Sequence, residues 1–169
     1  MLAEKRGQTE LSFGMIFSII LIVIFLVVGF YAVRAFIGIG QQTETAKFYD
    51  DLQDDINKAW KSSKVSEQQE YLLPGKIKKV CFVDFAASAE GRNQQIYENL
   101  NFGTDSLSHN ILFYPTDAVE GLSSKKIEHI DLIKITENEN PYCIENTNGK
   151  VKLTIKKNIG ENLVLIERQ

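Results

Sequence analysis

Few residues in this chain are of types that do chemistry, and their spacing narrows the field further. Two cysteines, Cys81 and Cys143, stand far apart, each inside an apolar, strand-like run. A structural zinc site draws four ligands from short-spaced pairs, and these two do not supply it. Taken together they are one disulfide between two strands, the state an oxidising compartment maintains. Taken separately they are two small buried thiols. The histidines are His109 and His129. His109, beside Asn110, reads as a turn residue and His129 as an ordinary strand residue, with no spacing that converges them on a metal. Asp84 in FVDF and Asp131 in HIDLI are carboxylates in apolar strands. Such residues more often end strands or hold hydrogen bonds than form a catalytic pair. Gly-rich phosphate loops, nucleophile elbows and Cys–His arrangements are missing from the sequence. No catalytic, cofactor-binding or metal set emerges, and the chain reads as a non-enzyme.

With no reaction centre to position, the elements themselves carry the information. From Leu11 to Val33 the sequence has no charged residue, and after Arg34 the apolar run resumes to Ile39. A membrane span needs about 20 mainly apolar residues. A secretory signal's apolar region is shorter, roughly 7–15 residues, and ends at small residues. Val33-Arg34-Ala35-Phe36 does not have that form. The expectation is a span. Lys5 and Arg6 before it nearly balance Arg34 and Lys47 after it, so basic residues alone set no orientation. The disulfide reading of the cysteines places the C-terminal part outside the cytoplasm.

From Gln41 to Ser63 there is no Gly or Pro, and Phe48, Leu52, Ile56 and Trp60 recur every fourth residue. Tyr49 and Ala59 widen that stripe, while Asp50, Asp51, Asp54, Asp55, Lys58 and Lys61 fall largely outside it. This is an amphipathic helix with one face covered, so Phe48, Leu52, Ile56 and Trp60 are expected to pack on the following domain. Span and stripe together form one helix from about residue 9 to about residue 62, with Gly38 and Gly40 as places where it can bend.

Beyond Leu73-Pro74-Gly75 the period changes to two. Strands are expected at 76–85, 110–115 and 126–135, then in a hairpin over 141–157 and a last strand at 159–168, with a short helix near 93–100. Asn148-Gly149 favours a type I′ turn between hairpin strands. The fold class is therefore α+β. A long N-terminal helix, membrane-spanning and then amphipathic, packs on a small antiparallel sheet of about five strands. Residues 41–169 carry sixteen basic and twenty acidic side chains. That mildly acidic balance argues against nucleic acid as a partner, and the Lys-rich hairpin strand reads as a solvated face or protected edge.

The leader now gains meaning. Lys5-Arg6-Gly7-Gln8 abuts the apolar helix directly and resembles the processing site of type IV pilin-like proteins, in particular archaeal class III signal-peptide proteins and TadE-like pseudopilins. The resemblance implies a cytoplasmic leader, residues 1–7, cut between Gly7 and Gln8 by a prepilin-type peptidase. It implies a retained filament-core helix over 8–40, continued by the amphipathic stretch 41–63, and a β-rich extracytoplasmic head over 64–169. The implied partners are the membrane, that peptidase, and other copies or other pilin-like subunits. The family usually places Glu at the fifth mature position. Here that position is Ser12, and Glu10 is the nearby carboxylate available for assembly. The other reading is an uncleaved single-pass protein that presents a β-rich binding domain outside the cell.

Overall fold

The computed structural model describes residues 13–98 and 108–169. The chain divides into two compact units, Met1–Ile39 and Gly40–Gln169. Helix α1, Phe13–Lys61, contributes to both. It runs unbroken through Gly38 and Gly40, neither of which has a neighbour within 4 Å of an added Cβ.

In the second unit the elements after α1 are β1 (Val65–Leu72), β2 (Lys79–Phe82), α2 (Gln94–Glu98), β3 (Ile111–Tyr114), β4 (Ser124–Lys125), α3 (Leu132–Ile135), β5 (Tyr142–Thr147), β6 (Lys150–Lys157) and β7 (Leu165–Arg168). Seven strands, among the described residues, form an antiparallel sheet in the order β1-β6-β5-β2-β3-β4, and β7 pairs with β6. Strand β5 is the junction. Its end, Asn146-Thr147, pairs with β6 at the hairpin, whereas Tyr142–Glu145 pairs with β2. As β5 turns away, β7 takes the vacated edge of β6, Leu165–Arg168 against Lys156–Leu153. The hairpin turn has the conformation its residues favour, with positive φ at Asn148 (56°) and Gly149 (79°).

One sheet face is covered by α1. Phe48, Tyr49, Leu52, Ile56 and Ala59 pack on Val80, Phe82, Ile111, Phe113, Val151, Leu153 and Ile155 in one core. The rings of Phe48, Tyr49, Tyr71 and Phe113 meet edge-on or tilted at 4.9–5.7 Å between centroids. Each ring of that size buries a large apolar area, and the edge-to-tilted geometry adds to it. The other face holds a smaller core of Cys81, Val83, Ile96, Leu112 and Cys143. Strand β2 is thus apolar on both sides because it is covered on both sides.

The structure adds one strand to those expected and removes another. Residues 65–72, the polar VSEQQEYL to which the sequence reading assigns no strand, form a full edge strand in register with β6. An edge strand needs few buried side chains, and of these eight only Tyr71 is fully buried. Residues 126–135 are not a strand. Asn110 bonds both backbone groups of Ile127 at 2.7 Å, and Gln53 bonds both of Glu128. Side chains thus satisfy the backbone that a ladder would have satisfied. Asp131 then caps α3, accepting from the Lys134 amide, and Ile133 points outward, 75% exposed. Trp60 packs on the domain, as expected, but at its rim and outside the core. It is 38% exposed and lies flat on His129, ring centroids 3.9 Å apart. Phe48, Leu52, Ile56 and Ala59 are buried, whereas Trp60 lies at the edge of the stripe, its carbonyl accepting from Lys157 of β6.

Candidate functional site

The proposed processing and assembly residues, Lys5, Arg6, Gly7, Gln8, Glu10 and Ser12, lie outside the described residues. The helix that begins at Phe13 is bare. Every residue from Phe13 to Gly40 is exposed, including Phe17, Phe25, Phe30, Tyr31 and Phe36. Leaving one large apolar side chain in water forgoes about 1.5–3 kcal/mol, so a stretch of this length requires a nonaqueous surrounding. Among the described residues one helix, α1, is long and apolar enough to cross a membrane. The lone charge in it before Gly40, Arg34, lays its guanidinium over the Phe30 ring at 5.1 Å, so part of its cation is met by a ring face.

The cysteines do come together. Cys81 in β2 and Cys143 in β5 sit directly opposite each other, their Cα atoms 4.0 Å apart and their sulfurs bonded. The bridge closes a separation of 62 residues, and neither cysteine is free. It lies on the sheet face away from α1, in the smaller core.

The histidines and carboxylates singled out in the sequence serve structure. His109 Nδ1 lies 2.9 Å from the Ser124 hydroxyl, joining the start of β3 to β4. His129 is not in a strand. It has φ +66°, and its Nδ1 is 3.1 Å from Asn57 Oδ1 on α1. Asp84 accepts the Ala86 amide in a turn, and Asp131 caps α3. No group of three or more His, Cys, Asp or Glu among the described residues is placed to hold a metal. Asn140 is a structural centre that no spacing rule indicates. Its buried amide donates to the carbonyls of Asp84, Ala87 and Ser88 and accepts from the Asp84 N–H, so it shapes the whole 84–90 loop.

Just beyond that loop lies a constellation with binding character. A cleft of about 780 Å³ is lined by five cations, Lys79, Arg92, Lys150, Lys152 and Arg168, from β2, the loop before α2, β6 and β7, and by one side-chain carboxylate, Glu145, with Gln169 at its edge. Amides and hydroxyls from Asn93, Thr147 and Asn148 stand among them, and Ile144 and Cys143 contribute apolar lining. Beneath one end lies Glu139, its side chain 10% exposed. It accepts from Asn93 Nδ2 and Arg168 Nη2, and Arg92 Nη2 reaches the same Oε2 atom at 3.6 Å. Gly91 makes this approach possible. Its φ is +81°, and a Cβ there would fall 2.9 Å from Glu139 Cγ. Arg168 also lies over the Tyr142 ring at 4.1 Å, and its buried Nε–H has no partner among the described residues.

At the other end, Glu70 of β1 is shared by Lys150 and Lys152, and the Lys150 hydrogen bond holds its carboxyl below the ordinary value. Lys79 bonds Asn93 and lies 3.7 Å from Glu145. The sequence shows only the Lys150/Lys152 alternation of this site. Arg92, Glu139 and Arg168 are brought in by the topology.

Compared with protein-family models, with curated proteins and with solved structures, the chain matches none.

Proposed function

We propose that this chain is a type IV pilin-like structural subunit, held in the membrane by its apolar helix with the β-rich unit on the extracytoplasmic side, and available for a filament or pseudopilus. The observation that supports it most is α1 itself. One unbroken helix is bare and apolar over 13–40, then becomes a covered amphipathic helix built into a sheet domain, without an intervening linker. A plain anchor has no need to be an integral part of the domain it tethers. A subunit whose apolar half packs in a filament core does. The Cys81–Cys143 bridge suits an extracytoplasmic location, and the basic pair before Gly7-Gln8 supplies the processing site that the reading requires.

The mature N-terminus decides it. Mass spectrometry of protein from its native membranes should find Gln8, as such or cyclised, at the N-terminus, and Gly7→Leu should block that maturation. An intact leader on the wild-type protein would sink the pilin reading. Glu10→Ala should permit cutting but impair assembly, because a carboxylate near the hydrocarbon core costs about 2.5–3.5 kcal/mol on insertion scales unless partnered. Normal filament incorporation of that variant would remove Glu10 from the scheme. The cationic cleft favours a second reading, an uncleaved single-pass protein that presents a binding domain, and an intact leader is its expected result.

A further inference from the structure

The cleft between Gly91-Arg92 and the β5–β6 hairpin has features of a ligand site on which the pilin-like reading does not draw. Its cations form two groups. Arg92 and Arg168 gather on the Glu139 Oε2 atom, with Lys79 beside them on Asn93. Lys150 and Lys152 gather on Glu70. Glu139 is buried and stays, with the shape of the loop built around it. Glu70 and Glu145 are surface carboxylates in exposed ion pairs, and such pairs are worth little, about 0–1 kcal/mol each. A ligand oxyanion can displace them at small cost.

Two separated cation groups in one open cleft suit an extended molecule with repeated anionic groups better than a single small anion. The amides of Asn93 and Asn148 and the Thr147 hydroxyl match a ligand that also carries hydroxyls. The surroundings limit its charge density. The unit is acidic overall, with twenty acidic against sixteen basic side chains over residues 41–169. A duplex with one charge per about 1.7 Å would meet repulsion wherever it left the cleft. A polysaccharide with one carboxylate per sugar meets much less.

We propose that this cleft binds an acidic, carboxylated polysaccharide. Arg92 and Lys152 make the outer contacts, Lys79 and Lys150 the inner ones, and Glu139 positions both arginines from below without touching the ligand. This site stands whether or not the chain assembles into a filament, so its failure and that of the pilin reading are separable.

The test uses the full-length protein in nonionic detergent micelles with its disulfide intact. Fluorescently end-labelled oligogalacturonate of defined length is titrated and followed by anisotropy, beside neutral dextran oligomers and single-stranded DNA. Saturable binding of the oligogalacturonate is expected, with none of dextran, and it should vanish near 1 M salt, where the screening length falls to about 3 Å. Arg92→Ala with Lys152→Ala should weaken it at least about tenfold, as loss of two charge-assisted contacts requires. Both side chains are largely exposed (78% and 58%), so the fold should survive, which far-UV circular dichroism checks. Lys47→Ala, on the α1 surface, should leave binding unchanged. No saturable binding, or equal loss in the Lys47 variant, overturns the proposal. Tighter binding of the DNA reassigns the cleft to nucleic acid. Self-association that the double variant abolishes reassigns it to a second copy of the chain. Either of these also overturns it.

Discussion

The two halves of α1 have the same secondary structure and opposite relations to solvent. From Phe13 to Ile39 apolar residues cover the whole circumference and none is buried. From Gly40 to Lys61 the apolar residues form one stripe, and Phe48, Tyr49, Leu52, Ile56 and Ala59 of that stripe are buried against the sheet. An all-round apolar helix has no polar face to turn to water, so only a surrounding apolar medium satisfies it. A striped helix is satisfied by one partner. The difference shows that helix formation and helix burial are separate decisions. The first follows from local propensity, the second from the angular distribution of side chains.

The sharpest way to break this comparison is to remove one ring from each half. Phe48→Ala should destabilise the β-rich unit by about 3–5 kcal/mol, the usual cost of emptying a buried aromatic site. Phe25→Ala should leave that unit's denaturant midpoint unchanged, because the Phe25 side chain is 72% exposed and its loss empties no packed site. Equal effects would mean that the two halves share one cooperative unit. Next in size is the disulfide. Cys81→Ser or Cys143→Ser should cost roughly 2–4 kcal/mol, since the bridge constrains a 62-residue separation in the unfolded chain. Protein taken from cells without reductant should show no free thiols on denaturing alkylation. Ready labelling of both cysteines in the native protein would contradict the bridge and the extracytoplasmic placement with it.

A smaller effect sharpens the comparison within the second half. Trp60 stacks on His129 at the rim instead of entering the core, so Trp60→Ala should cost only about 1 kcal/mol, the scale of one aromatic pair. A loss as large as that of Phe48→Ala would make the stack a core contact in energy. The smallest effects are those of pH. Burial pushes the Tyr49 phenol well above its ordinary 10.0, and burial with the Asp55 carboxylate does the same for Tyr71. A phenol whose folded pKa is raised contributes stability that is complete below pH 10 and lost as pH rises above it. The denaturant midpoint should therefore fall above about pH 10, and phenolate absorbance from these two tyrosines should appear only with unfolding. At the acid end, Lys150 depresses Glu70 and Lys134 depresses Glu161. Their contribution is present above the ordinary carboxyl value of 4.5 and disappears as pH falls through the lower folded values. Glu70 is exposed and Glu161 half-buried, each in an ion pair at the surface, so the acid shift in midpoint should be slight.

What the sequence by itself determined about this protein is periodic. The length of the apolar run, the fourfold recurrence of Phe48, Leu52 and Ile56, the alternation of Val151, Leu153 and Ile155, and the Asn148-Gly149 turn are local signals, and each is realised at its own residues. Even the pairing of Cys81 with Cys143 was legible as one of two options, because both sit in apolar, strand-like runs. The tertiary structure decided what has no local signal. VSEQQEYL became a strand because β6 offered an unpaired edge, and a polar sequence can fill an edge. KIEHIDLIKI alternates well enough for a strand, yet Asn110 and Gln53 took its backbone bonds and Asp131 capped a helix in its second half. The cleft is the extreme case. Arg92, Glu139 and Arg168 are scattered along the chain, and only the crossing of β5, β6 and β7 with the Asn140-held loop brings one buried carboxylate beneath two arginines. A charge cluster assembled from distant segments has no spacing to read, since its order exists only in three dimensions.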